Sequence, residues 1–264
     1  VKPLRVAVIQ TDPVFGAIEA NLDAALELVP AECDLAVLPE LFATGYQFRN
    51  RAEARELAEE VPSGFTTSRL AAFARTSGTT VVAGVAERDA DRIYNSAVLV
   101  RPDGSVDVYR KVHLFWDEKT IFAPGNLGFP VFPACGTQVG LLICFDWIFP
   151  EAARTLALRG ATILCHPSNL VLSHCPDAMI TRCLENRVFA ATANRIGREA
   201  RTDQELVFIG RSQIVAPWGE CLAACGEAEP AAAEAVLDPA ACTKTITPRN
   251  DLWQDRRPEH YHHD

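Results

Sequence analysis

The sequence lacks a surplus of positive charge. Its 25 Lys and Arg are outnumbered by 34 Asp and Glu, giving a formal charge of −9 at pH 7. That balance argues against sequence-independent binding of nucleic acid and against an anionic membrane surface. No apolar run approaches the roughly 20 residues that a membrane helix needs. The N-terminal stretch has no signal-peptide pattern: Val1 to Gln10 is short, is interrupted by Lys2, Pro3 and Arg5, and reads as a strand. No Pro/Gly/Ser-rich linker, internal repeat or low-complexity segment divides the 264 residues, so one main domain is expected. Paired CxxC spacing is missing as well. The nine cysteines are odd in number and scattered. Cys221 and Cys225 are four apart, with no His or Cys pair following at ligand distance, so no metal site is expected. Reduced thiols and a cytoplasmic location are the matching expectation.

What is present is an alternation of strand and helix patterns. Leu4 to Gln10 reads as a mostly buried strand, and Ala17 to Val29 as an amphipathic helix with apolar residues at helical spacing. Asp34 to Leu38 is a second buried strand, running into Pro39-Glu40. Arg51 to Glu60 and Thr67 to Thr76 read as helices, and Thr79 to Glu87 as a β-branched strand. Pro102-Asp103-Gly104 marks a hairpin between Tyr94–Arg101 and Ser105–Arg110. Lys111 to Pro130 is a long irregular stretch, of the kind that often carries function. Further strands are expected at Val139–Ile143, Ala161–Cys165, Phe189–Asn194, Val207–Ile209, Gln213–Val215, Cys221–Ala224 and Ala232–Leu237. A helix is expected over Ala178 to Val188. Residues 1–249 form the expected domain, and residues 250–264 a polar, aromatic tail that either frays or packs on another subunit. The pattern as a whole predicts sheet layers covered by helices on their outer faces.

Chemistry gathers at three strand ends. Val139 to Ile143 is an apolar run that stops at Cys144, and Pro150 and Glu151 suit the first turn of the helix beyond. A thiol between a strand end and a helix N-terminus has the setting of a nucleophile, exposed and with its thiolate favoured by positive charge. A small buried hydrophobe fits the same position. Glu40 follows the run DLAVLP and Lys111 follows DVYR. An acid, a base and a thiol on one sheet rim could perform acyl transfer, with the carboxylate taking the thiol proton and the ammonium holding the oxyanion. By the residues alone, Glu40 reads equally as a solvated strand end and Lys111 as surface charge.

Three blocks alter that balance: LPELFATGY at residues 38–46, YRKVHLF at 109–115 and ICFDWIFPE at 143–151. Their order and spacing resemble the signature blocks of the nitrilase superfamily of carbon–nitrogen hydrolases, over essentially the whole chain. The resemblance implies an α/β fold, a four-layer α-β-β-α sandwich. It implies Glu40 as general base, Lys111 as oxyanion stabiliser and Cys144 as nucleophile. Glu118 matches a second glutamate that orients substrate and lysine, and the Phe145 amide would share the oxyanion hole. Asn169 lies in a loop the family often places at the pocket. Tyr46 and Trp116 are aromatic candidates for its walls, with plain packing as the alternative, and Trp147 either lines it or packs beneath it. His113 and His166 read as structural, and Cys165, Cys175 and Cys183 as ordinary thiols. The implied activity is hydrolysis of a small amide without cofactor or metal. Nitrile hydrolysis, N-carbamoyl amine hydrolysis and a non-catalytic binding protein on the same fold are the alternatives. True nitrilases of the family more often carry Trp-Glu where this chain has Phe145-Asp146, which favours amides. The family's C-terminal arms imply a homodimer or larger assembly, with residues 250–264 at the contact.

Overall fold

The computed structural model describes residues 2–261. The chain begins with β1 (Leu4–Gln10), α1 (Ile18–Glu27), β2 (Leu35–Val37), α2 (Arg51–Leu57) and α3 (Phe65–Ser77). It continues with β3 (Thr80–Asp89), β4 (Arg92–Val100), β5 (Val106–Arg110), the single turn α4 (Glu118–Ile121), β6 (Val131–Ala134) and β7 (Thr137–Leu141). A 3₁₀ turn over Cys144–Ile148 leads into α5 (Pro150–Leu158), β8 (Ile163–Pro167), α6 (Cys175–Asn186) and β9 (Phe189–Ala193). Short strands follow: β10 (Arg198–Glu199), β11 (Leu206–Val207), β12 (Gln213–Val215), β13 (Cys221–Ala224) and β14 (Ala231–Leu237). The hairpin β15 (Thr245–Thr247) and β16 (Asn250–Asp251) comes last.

Two six-stranded sheets carry the fold, in the orders β14-β1-β2-β3-β4-β5 and β13-β12-β9-β8-β7-β6. Each is parallel at its centre, through β1–β2–β3 and β7–β8–β9, and antiparallel toward its edges. The strands have two apolar faces because each sheet is covered on both sides. Inner-face side chains such as Val6, Val8, Val37 and Leu99 meet Val139, Leu141, Ile163 and Ala191 in one buried cluster. On the outside of the first sheet, Ala7, Ala36 and Val81 pack against Leu22 and Ala25 of α1 and Leu70 and Ala74 of α3. On the outside of the second, Ala152, Ala153 and Leu156 of α5 and Met179 and Cys183 of α6 close the layer. This is the expected four-layer α-β-β-α sandwich.

Local signals set the boundaries. The Asn50 side chain accepts from the Glu53 amide at 2.9 Å and starts α2. Gly78 ends α3 in the left-handed region at φ 77°. Pro150 occupies the first turn of α5. Two expectations shift. α6 begins at Cys175 rather than Ala178, with Pro176 in its first turn. The irregular stretch after Lys111 contains α4, whose four residues are too few for a periodic signal.

The C-terminal hairpin pairs Thr247 with Asn250, so the expected boundary at 249/250 falls inside it. Beyond it, Trp253 lies half-buried on the second sheet's helical face, with the Arg154 guanidinium 5.0 Å and the Lys244 ammonium 4.9 Å from its ring. The last residues of the expected tail, 262–264, lie outside the described residues.

Candidate active site

The topology brings three strand ends to one rim. β2 runs parallel to β3, and β5 does too, because it is antiparallel to β4, which is antiparallel to β3. The residues that follow β2 and β5 therefore leave the first sheet on the same edge. Glu40 comes from the first and Lys111 from the second, and both side chains are fully buried.

The Lys111 ammonium donates to Glu40 Oε1 and to Glu118 Oε1, each at 2.7 Å. Burial works against that charge, but the Glu118 and Glu40 carboxylates outweigh it and hold the ammonium above the usual lysine range. An ammonium has three protons, so these two bonds leave one for another acceptor. The Lys111 backbone is fixed at both ends: its amide donates to the Asn95 carbonyl, and its carbonyl accepts from the Gly125 amide, each at 2.8 Å. Gly125 lies so close to the Arg110 carbonyl that a Cβ there would overlap it.

Glu118 collects donors. Its Oε1 also accepts from the Tyr46 hydroxyl at 2.7 Å, and its Oε2 accepts from the Phe115 amide at 3.0 Å. Burial still pushes its carboxyl up to about 7, against the pull of Lys111. Glu40 Oε1 accepts a second bond from the Asn95 side-chain amide at 2.6 Å. Its other oxygen, Oε2, is buried with no hydrogen-bond partner among the described residues. A buried carboxylate oxygen without a donor is costly and marks a place where a reacting proton can go.

Cys144 sits after β7 at the first position of the 3₁₀ turn, with φ at +40°. That left-handed backbone is strained for a residue with a side chain, and its neighbours pin it. Asp146 Oδ2 accepts from the Ile143 amide at 2.9 Å and from the Tyr109 hydroxyl at 2.7 Å. His166 Nε2 lies 2.9 Å from the Cys144 carbonyl. A carbonyl only accepts, so Nε2 carries the ring proton, and Nδ1 then accepts from the Thr192 hydroxyl at 3.1 Å. Burial keeps His166 below the usual histidine range and hence neutral.

The expectation of an exposed, thiolate-favouring cysteine does not hold. Cys144 is only 5% exposed. Burial and then the Glu40 carboxylate push its thiol well above the ordinary range, and Lys111 only partly opposes them. The helix α5 starts only six residues later, at Pro150. A thiol near a carboxylate can give up its proton to it.

The remaining candidates divide. Tyr46 and Trp116 line a cleft with Glu118 at its base, and Trp116 is 55% exposed at φ +46°. The Phe145 ring packs 5.0 Å from Phe115, centroid to centroid, and its amide lies in the first turn of the 3₁₀ segment, where helical geometry provides no acceptor. Asn169 is buried; its carbonyl accepts from the Cys144 thiol at 3.7 Å, and both polar atoms of its side chain lack partners. Trp147 is 6% exposed inside the main core and does not line the cleft. Asp146 is likewise no wall of a pocket. Its two oxygens are spent on Ile143, Tyr109 and the backbone and ring of His113, the ring at 2.7 Å.

The whole chain fits known relatives. The carbon–nitrogen hydrolase family model matches residues 5–247. A nitrilase from Pyrococcus abyssi is 45% identical, over 98% of this chain and 99% of its own. The chain belongs to the carbon–nitrogen hydrolase family. It is therefore an enzyme of a hydrolase family that acts on carbon–nitrogen bonds. An (R)-stereoselective amidase from a Pseudomonas species is 34% identical, over 86% of this chain and 82% of its own. Among solved structures, an amidase from Nesterenkonia superposes with a TM-score of 0.79 at 29% identity, covering 97% of this chain and 94% of that one. One structure of that amidase shows acrylamide added to its active-site cysteine.

Sequence reasoning missed three contributors to the site. Asn95 was legible only as an amide inside the otherwise apolar strand RIYNSAVLV. His166 read as structural, which is accurate, but its partner is the nucleophile candidate's own carbonyl. Glu199, buried against Arg195, accepts from the Tyr46 and Gln47 amides and so holds the cleft loop. No local motif announces it, because its partners are more than 150 residues away.

Proposed function

We propose that this enzyme hydrolyses small amides to carboxylic acids and ammonia through a thioester on Cys144. The observation that carries the reading is a buried thiol, Cys144, near a buried glutamate whose second oxygen has no donor among the described residues. Glu40 Oε2 takes the thiol proton as Sγ bonds to the amide carbon. The carbonyl electron pair moves to oxygen, and that oxyanion is met by the third proton of Lys111 and by the Phe145 amide. Glu40 returns the proton to nitrogen, the C–N bond breaks, and ammonia leaves a thioester. Water then attacks the thioester while Glu40 takes its proton. The C–S bond breaks, the sulfur recovers the proton, and the acid departs.

The amide, rather than the nitrile, is favoured by the unsatisfied groups. Glu40 Oε2 and Asn169 Oδ1 are buried acceptors and Asn169 Nδ2 a buried donor, all without partners. A carboxamide offers two N–H donors and a carbonyl acceptor; a nitrile offers no donor at all. The Phe145-Asp146 dipeptide lends little to this choice, because Asp146 is engaged in the scaffold. A second reading, direct hydrolysis of nitriles, draws on the 45% identity to a protein named nitrilase. The nine free thiols suit a reducing compartment such as the cytoplasm.

The test is kcat/KM for amide and nitrile pairs that share one carbon skeleton. Faster amides across several skeletons support the proposal. Faster nitriles replace it with the second reading.

A further inference from the structure

Resting on the amide reading above, we propose that the acyl group this enzyme accepts is uncharged and apolar, and that it seats in the cleft above Glu118. Cys144, Glu40 and Lys111 do not themselves line the cleft, which adjoins them through two neighbours. Its base is Glu118, bonded to Lys111 at 2.7 Å, and its wall residue Phe115 packs 5.0 Å from the ring of Phe145, the neighbour of Cys144. Its other walls are largely aromatic and aliphatic, with Phe48, Trp116, Phe122 and Leu206 among them.

Charge decides between the substrate classes the family fold could take. Among the described residues no Lys, Arg or His lines the cleft; its ionisable groups are Tyr46 and two acids, Asp117 and Glu118. Lys119, Arg49 and Arg201 adjoin wall residues in sequence but do not line the cleft; the one beside Thr202 is Arg201. Its guanidinium is already held by both Glu53 oxygens, at 3.1 and 2.7 Å, and by the Gln47 carbonyl at 2.7 Å. Lys111 lies behind Glu118 with two carboxylates on it. A carboxylate at the far end of the acyl chain would therefore enter a largely apolar cleft whose walls hold two acids and no cation. A distal ammonium fares little better. Glu118 is already bonded to Lys111, the Tyr46 hydroxyl and the Phe115 amide, and Asp117 is solvent-exposed. An apolar chain, by contrast, gains about fourfold in binding for each methylene buried against such walls.

The experiment uses the intact wild-type enzyme and three amides of similar length: pentanamide, glutaramate and 5-aminopentanamide. Pentanamide is expected to exceed glutaramate by at least about 100-fold in kcat/KM, and 5-aminopentanamide by at least about tenfold. Either charged amide matching pentanamide overturns the proposal. The corresponding nitriles run in parallel. If only nitriles turn over, the amide reading fails, yet the same order among them supports the apolar cleft and a reversed order overturns it. Turnover of neither series overturns both. Leu206→Arg then places a cation in the wall, and the glutaramate-to-pentanamide ratio should rise at least about tenfold. An unchanged ratio in a folded variant would put the acyl group elsewhere.

Discussion

The Tyr109 hydroxyl donates a 2.7 Å hydrogen bond to the buried carboxylate of Asp146. Tyr109 lies two residues before Lys111 and Asp146 two after Cys144. The bond thus ties the edge strand of one sheet to the turn that leaves the other. Asp146 extends the tie through the Ile143 amide, just before Cys144, and through His113, just after Lys111. The ring of His113 in turn stacks 3.7 Å from that of Phe149, centroid to centroid. The link joins the two sheets beside the proposed catalytic lysine and cysteine.

Removing that link should damage rate more than fold. Tyr109→Phe leaves the other donors of Asp146 in place, so it should cost about 1 kcal/mol of stability. The same change should lower kcat with little effect on KM, since no substrate contact is lost. Asp146→Ala should be far more destabilising, because it strands four hydrogen-bond partners, two of them fully buried. Urea unfolding beside steady-state kinetics separates the two effects; a Tyr109→Phe enzyme with unchanged kcat would show the tie to be structural only.

Lys111 should not tolerate arginine. Its site holds a compact ammonium between two carboxylates, fully buried, and a planar guanidinium cannot direct a third proton to the same point. Lys111→Ala should lose at least about 10²–10³ in kcat, and Lys111→Arg should fall nearly as far. Near-normal turnover by the arginine variant would dismiss the oxyanion role.

The pH profile should carry an acid limb from Glu118. Its carboxyl is raised to about 7 by burial, so it gains a proton as pH falls through that value. Oε1 already accepts two bonds, which leaves Oε2 to take the proton at the expense of the Phe115 amide. kcat/KM should therefore fall below about pH 7 and level off above it. Glu118→Gln should be slower throughout and lose this limb. A limb that persists unchanged in the glutamine variant would assign the titration to another group.

A homodimer or larger assembly is expected, with the segment after β16 at the contact. Tyr261 is 45% exposed and, with Arg256 and Leu252, edges a groove against α5. Aromatic and Arg side chains of this kind favour interface cores. Light scattering at micromolar concentration should give at least twice the 28.8 kDa chain mass; a monomer mass would end the idea.

Much of this architecture was legible in the chain because its strands are continuous apolar runs. Val139 to Ile143 can be read without tertiary information, as can the turn at Pro102-Asp103-Gly104. Glu40, Lys111 and Cys144 were legible through their blocks, but their environment was not. Exposure of Cys144 was expected from its place at a strand end, whereas the two sheets close over it. Trp147 was expected to line the pocket or to pack beneath it, and it lies buried in the same cluster as Cys144. Asn95 and Glu199 act through partners distant in sequence, which spacing cannot encode.

The central claim is a covalent acyl group on Cys144, and rapid-quench mass spectrometry of the intact protein tests it most directly. Enzyme mixed with a slowly released amide should gain the acyl mass during turnover, and peptide mapping should locate it on Cys144. The Cys144→Ala variant should gain no mass and release no ammonia while remaining folded. An adduct on Cys165, Cys175 or Cys183, or ammonia release by Cys144→Ala, would contradict the mechanism.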